Sequence, residues 1–296
     1  MITAMTLNER LDILRGNLDV LSKRSDITSE QRALTLSEIA RSVCEAHEGE
    51  ELSLIAEHYS KIVPEASPAD KIILCRELLL RKKSADRLRR LVAIGDGEEV
   101  PAGSHGKIAY PKNKYNDAAF ELLSSTISSP RAVYTSSING ACEAVTEGSC
   151  EFCILPIENS LDGKLFSFYS LLDRFELKIY AACDIEGEGD SRVSYALVGR
   201  SSRKASGSAE KHSRPILEFF VLDSAQGILD TISEAAKECN AELLSIDTRP
   251  VPYDAQSKKF ILSFRVSYKD AMLFCAFLAL YCDSYSPIGL YPYLQN

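Results

Sequence analysis

The chain has 296 residues, 45% of them hydrophobic, nine cysteines and a formal net charge of −8. That length can fill two or three cores, while the acidic balance excludes a general nucleic-acid binder, whose phosphate contacts need a basic surface. The longest apolar run, residues 271–281, is too short to span a membrane, residues 1–10 have no signal-peptide core, and the odd, scattered cysteines fit reduced buried thiols, so a cytoplasmic protein without disulfide framework is expected.

Residues 1–94 are predicted to form a helical bundle. Leu7, Leu11, Leu14, Leu18 and Leu21 repeat by four and three behind a Thr6-x-x-Glu9 capping box. Thr28-x-x-Gln31 leads to Leu36, Ile39, Ala40 and Val43, and Leu52, Ile55, Tyr59 and Ile62 make a third helix that Pro64 stops. Ser67 and Pro68 are the N-cap and first residue of one long last helix carrying Ile72, Leu79, Leu88 and Leu91. Residues 95–106 then have linker composition.

Strand and helix alternate from Lys107 onward. The apolar strand Phe152–Leu155 runs into Pro156-Ile157-Glu158-Asn159-Ser160. Gly163 follows, and Leu165, Phe168, Leu172 and Phe175 then recur at helical spacing. A carboxylate, an amide and a hydroxyl are thus expected where a strand hands over to a helix N-terminus, whose free N–H groups favour an anionic ligand. The same stretch also reads as a polar turn with an N-cap serine. Cys150-x-x-Cys153 has no second pair at zinc spacing, so no metal site and no cofactor are expected.

Residues 200–215 are a second linker, rich in serine and basic residues. Beyond it come a strand at Leu217–Leu222, a helix at Gly227–Asn240, a strand at Ala241–Val251 and a strand alternating Phe260, Leu262, Phe264 and Val266. A helix at Ala271–Tyr281 and a closing strand near Ile288–Tyr293 complete a βαββαβ, ferredoxin-like order.

Pro156–Ser160 (PIENS) followed by a glycine and a Leu-Leu helix resembles the signature of prephenate dehydratases, which take prephenate to phenylpyruvate in phenylalanine biosynthesis. Lys107–Tyr110, Tyr134–Glu147, Ser170–Asp173 and Leu177–Asp184 resemble neighbouring strands and helices of that family. The resemblance implies a periplasmic-binding-protein-like α/β lobe over residues 107–200, with Glu158, Asn159 and Ser160 in the pocket. The chain departs from the family in two places. Pro111–Asp117 stands where the family has a Gly-Pro-x-Gly-Thr-x-Ser turn. Glu186–Gly189 passes directly to Ser191–Gly199, where the family inserts a second lobe before a Thr-Arg-Phe strand. Val193, Ser194 and Tyr195 align with that motif; the alkyl side chain of Val193 cannot donate a proton, so Ser194, one position along, is the residue that could substitute.

Residues 216–296 resemble the ACT regulatory domain of the same family. Gly227, Ile228 and Leu229 match its Gly-Ala-Leu, and Asp247, Thr248, Arg249 and Pro250 match its Glu-Ser-Arg-Pro. This implies phenylalanine as effector, bound between paired domains of a homodimer or higher oligomer. Residues 1–94 occupy the place of a chorismate-mutase domain, with Arg15 and Arg32 near the expected anion-binding arginines, but arginine is missing from His47–Leu52. Mutase activity is therefore not expected. The whole reads as α/β and α+β: a helical bundle, a truncated lobe and an ACT domain. It is either a prephenate-processing enzyme acting on prephenate or a related acid, or a catalytically inactive sensor of phenylalanine or another aromatic amino acid.

Overall fold

The computed structural model describes residues 7–22, 29–92, 105–160, 163–187, 191–200, 214–223, 227–251 and 254–294. Thr6, Thr28 and nearly all of both expected linkers lie outside these residues. The N-terminal region forms α1 (Leu7–Ser22), α2 (Ser29–Ala46), α3 (Leu52–Ile62), α4 (Pro68–Leu80) and α5 (Lys82–Val92). There follow β1 (Lys107–Pro111), α6 (Lys114–Leu123), β2 (Arg131–Thr135), α7 (Ile138–Thr146), β3 (Phe152–Asn159), β4 (Gly163–Lys164), α8 (Phe166–Phe175), β5 (Lys178–Glu186) and β6 (Arg192–Gly199). The remainder is β7 (Ile216–Leu222), α9 (Ile228–Glu238), β8 (Glu242–Val251), β9 (Asp254–Arg265), α10 (Tyr268–Tyr281), β10 (Ser286–Tyr291) and β11 (Tyr293–Leu294).

The chain divides into two compact units, one of Met1–Val92, Leu222–Glu242 and Lys269–Tyr285, the other of Ala93–Val221, Leu243–Tyr268 and Ser286–Asn296. The first unit is helical. Ile39, Val43, Ile55, Tyr59, Ile72, Leu78 and Leu88 are buried in it, and α4 packs on α2, α5 and α9. Ser67 caps α4 as expected: its hydroxyl accepts from Asp70 N–H at 3.2 Å and Asp70 Oδ2 accepts from Ser67 N–H at 3.0 Å. The single long helix expected from Pro68 to Leu91 is instead two. Arg81 breaks it with extended backbone (φ −98°, ψ 115°), and its guanidinium reaches Glu45 at 3.3 Å. Leu78 on α4 and Leu88 on α5 are both buried.

The second unit is built on an 11-stranded sheet of order β2-β1-β3-β6-β5-β10-β7-β9-β8, with β4 on β3 and β11 on β5. β1 pairs in parallel with β2 and β3, whereas β6 is antiparallel to both β3 and β5. The last four strands, β10-β7-β9-β8, have the order of a ferredoxin-like sheet. They continue directly from the lobe strands, because β10 pairs in parallel with β5 at Gly289 and Ile179. A Cβ on Gly289 would lie 2.6 Å from the Ile179 carbonyl oxygen, so this close approach requires glycine.

One face of the lobe sheet packs Leu155, Ile157, Ala182, Ala196 and Val198 against Ala141, Val145, Phe168 and Leu172 of α7 and α8. The other packs Ile154, Tyr180 and Leu197 against Ala119 and Leu123 of α6. Inside the first face lies a carboxylate, Glu218, only 3% exposed. It accepts hydroxyls from Tyr169 at 2.5 Å, Tyr291 at 2.7 Å and Ser263 at 3.2 Å, which supplies the hydrogen bonds that a buried anion needs. All nine cysteines are buried and free. No helix among the described residues is long and apolar enough to cross a membrane.

Candidate functional site

The polar triplet does not sit at a strand-to-helix junction. β3 runs on through Glu158 and Asn159, which pair with Lys164 and Gly163 of β4 in an antiparallel ladder, and α8 begins only at Phe166. Gly163, at φ +76°, belongs to that hairpin arm. Apolar periodicity cannot reveal such an insertion, because a two-residue strand has no periodic signature.

What the ladder does bring together is a row across three strands. Glu158 on β3 lies opposite Ser194 on β6, and Ser194 lies opposite Asp184 on β5. Directly opposed residues share one face of a sheet. The Ser194 hydroxyl donates to Asp184 Oδ1 at 2.7 Å. Tyr293, from β11, donates its own hydroxyl to the same oxygen at 2.5 Å and lies 3.2 Å from Ser194 Oγ. Burial, and then the bond to Asp184, raises the Tyr293 phenol above its ordinary range. Arg192 closes the group, with Nη1 3.2 Å from Asp184 Oδ2 and its backbone N–H on Ser160 Oγ at 2.8 Å. Asp184, Arg192 and Tyr293 were not singled out from the sequence, and nothing in spacing announces them: they meet Ser194 only through strand register.

Chemically the row carries two carboxylates and the exposed Arg192 guanidinium, with Lys164 of β4 next in register beyond Glu158, and the Ser194 proton is already committed to Asp184. The neighbouring strand ends add little to hold an anion. Asn113 Oδ1 takes the N–H groups of Tyr115 and Asn116 at 3.0 and 2.9 Å, and Ser137 Oγ takes that of Gly140 at 3.1 Å, so both helix N-termini at this edge are capped by the chain itself. Lys112 and Lys114 lie 4.9 and 4.7 Å from the ring centres of Tyr134 and Tyr115. In place of an inserted second lobe, β5 and β6 are joined by a hairpin closed by Gly187 N–H on Ser191 O at 2.7 Å.

The residues expected to hold an amino acid lie on two elements. Gly227, at φ +81°, opens α9, followed by half-buried Ile228 and Leu229. A Cβ there would meet only Asp230 Oδ2, at 4.0 Å, so backbone conformation, not space, favours glycine. Asp247 and Arg249 are half-buried on one side of β8, while Thr248 and Pro250 are exposed on the other. The Arg249 guanidinium stacks 4.6 Å over the Tyr169 ring, and burial lowers its pKa. β8 ends the sheet.

Of the two arginines expected to bind an anion on the helical unit, Arg32 is bonded to Asp70 at 2.7 Å and Arg15 is exposed on α1. Arg32 also lines a cavity of about 500 Å³ with Asp70, Arg76 and Glu77. Arg15 is not among its lining residues.

Residues 111–216 match the family model of prephenate dehydratase. No curated protein matches the chain. Among solved structures, GqqA, described as a novel type of quorum-quenching acylase, is 16% identical, covering 63% of this chain and 94% of its own, with a TM-score of 0.49. Prephenate dehydratase from Streptococcus mutans is 19% identical, covering 64% of this chain and 99% of its own, also at 0.49. The prephenate dehydratase of Arthrobacter aurescens, solved with L-Phe, is 13% identical over 63% of this chain and 90% of its own, at 0.48. With TM-scores below 0.5, these likenesses add nothing to the family match. That match spans α6 through β6 and so contains Glu158, Asn159, Ser160 and Ser194. Residues 111–216 are therefore a domain of the prephenate dehydratase family.

Proposed function

We propose that this prephenate dehydratase-family protein has lost turnover and acts as a cytoplasmic sensor of phenylalanine. The observation that carries the first half is the Ser194 hydroxyl, whose proton is held by Asp184 in a row that also contains Glu158. Dehydration and decarboxylation of prephenate need donors for two carboxylates and a proton for the departing hydroxyl. Val193 stands at the threonine position and has no proton to give, and the Ser194 proton beside it is held by Asp184.

The second half rests on the βαββαβ order of residues 216–296, on Gly227 at the start of α9 and on the open edge at β8. These support reading that segment as an ACT domain, residues 107–200 as a one-lobed dehydratase domain and residues 1–94 as a helical assembly module. Arg32, tied to Asp70, favours assembly over chorismate chemistry. Two chains pair along β8 and hold phenylalanine at the junction, with the backbone N–H groups after Gly227 toward its carboxylate.

Thermal unfolding with added amino acids tests this. A ligand that binds only the native protein raises its melting temperature, so phenylalanine should do so, tyrosine less, and Gly227→Val should remove the shift. No shift with any aromatic amino acid, in a protein shown to be dimeric, would reduce the segment to an assembly element.

A further inference from the structure

Three side chains of the helical unit meet at a point that the dehydratase reading does not use. α2 ends at Ala46, and the turn after it is closed by His47 N–H on Val43 O at 3.1 Å and Glu50 N–H on His47 O at 3.0 Å. Arg87 of α5 pins the same turn, its Nη1 donating to Glu50 O at 2.6 Å. α3 then starts at Leu52 and buries Leu52, Ile55, Ala56 and Tyr59, which fixes the rotation of the helix and so brings His58 back beside the turn. The His47 and His58 rings stack with centroids 3.9 Å apart and planes within 8°. His47 Nδ1 lies 2.8 Å from Glu50 Oε1, and His58 Nε2 lies 3.2 Å from Glu50 Oε2.

We propose that His47, Glu50 and His58 bind one divalent transition-metal ion of the zinc type. Their ligand atoms all lie within 4.8 Å of one another. Zinc bonds of roughly 2.0–2.2 Å in a tetrahedral arrangement set ligand atoms about 3.3 Å apart, close to the spacings already present. An ion at this point takes the place of the two ring protons now shared with Glu50; because the lone pairs of the stacked rings lie in separate planes, the part-exposed His47 and His58 side chains turn out of the stack to converge on it. Two imidazoles with one carboxylate select zinc, cobalt, nickel or copper over magnesium and calcium, which prefer all-oxygen shells. The side chains are 24%, 40% and 34% exposed in the order His47, Glu50, His58, so the ion has an open path and its remaining coordination position faces water. The sequence reading missed this site because the ligand spacing, His-x-x-Glu followed eight residues later by histidine, matches no common motif and depends on a helix-turn-helix geometry.

Full-length protein stripped with chelator should bind one equivalent of zinc by calorimetry. Cobalt should bind with visible bands of nitrogen and oxygen ligation and no thiolate charge-transfer band, which excludes the cysteines as ligands. His58→Ala should weaken zinc binding by more than the roughly 10–100-fold that loss of an outer-shell partner costs, with unchanged circular dichroism in chelator. Should that variant unfold, Glu50→Gln at the surface decides in its place, with the same loss expected. No zinc binding by the wild type up to about 1 mM would overturn the proposal and leave a hydrogen-bonded triad only. So would wild-type affinity in either variant, or a thiolate signature with cobalt.

Discussion

The guanidinium of Arg249 on β8 lies 4.6 Å over the ring of Tyr169 on α8. Tyr169 in turn donates its hydroxyl to buried Glu218 on β7 at 2.5 Å. The edge strand expected to contact an amino acid therefore touches the helix that follows the Glu158-Asn159-Ser160 segment. Tyr169→Phe removes one of three hydroxyls from a buried carboxylate and should destabilise the protein by about 1–3 kcal/mol, read by chemical denaturation. Glu218→Gln should cost a similar amount, and the double variant less than the sum, because the two residues share one bond. Strict additivity would contradict the network.

Gly289 joins the lobe strands to the ferredoxin-like strands. Gly289→Val places a branched side chain against the Ile179 carbonyl and should separate β10 from β5, since the offending atom is backbone and cannot swing aside. Hydrogen exchange should rise across β5 and β10 while β1 to β3 stay protected. Unchanged protection at β5 would contradict the pairing.

The buried thiols set an alkaline limit. Burial pushes Cys44 from 9.0 to about 11, and Cys183, Cys239 and Cys275 to about 12. Folded thiols keep their protons to higher pH than unfolded ones, so this contribution is complete below pH 9.0 and lost as pH rises toward 12. Each such thiol steepens the fall by about 1.4 kcal/mol per pH unit. Cys142 has the opposite sign, because the Cys153 thiol bonds to it and lowers its pKa. Melting temperature should hold to about pH 9 and then drop, and a thiol reagent at neutral pH should reach all nine cysteines only after unfolding.

Leu244 and Ile246, 36% and 44% exposed, make a short apolar stripe on one face of β8 at the open sheet edge, with Leu243, 47% exposed, on the opposite face. Such an edge invites pairing with another chain. Ile246→Lys places a charge on the stripe and should convert a dimer to a monomer in light scattering, without loss of secondary structure. A wild-type monomer at about 10 μM, where a pairing of useful affinity is populated, would contradict pairing through this edge.

Much of this fold was legible where the signal is local. Ile39, Val43, Ile55 and Tyr59 declared their helices by period, Ser67 and Pro68 declared the start of α4, and the order of strands and helices after residue 216 gave the ferredoxin-like pattern. The break at Arg81 was not legible, because no glycine or proline marks it and Arg81 takes its extended backbone inside a run of helix-forming residues. The β3–β4 hairpin was too short to carry a pattern. Glu158 and Ser194 were named from the family motif, but Asp184 and Tyr293, which decide what Ser194 can do, come from β5 and β11 and meet it through non-local register. His47, Glu50 and His58 were likewise ordinary polar letters until a turn folded them together.

The loss of turnover is tested most directly by incubating the purified full-length protein with prephenate at neutral pH and measuring phenylpyruvate. The expected result is no formation above the uncatalysed rate, and no change on Ser194→Ala. Turnover of about one per second or faster, typical of a working enzyme, and abolished by Ser194→Ala, would show that the Ser194–Asp184 pair is a proton-delivery site and would contradict the account.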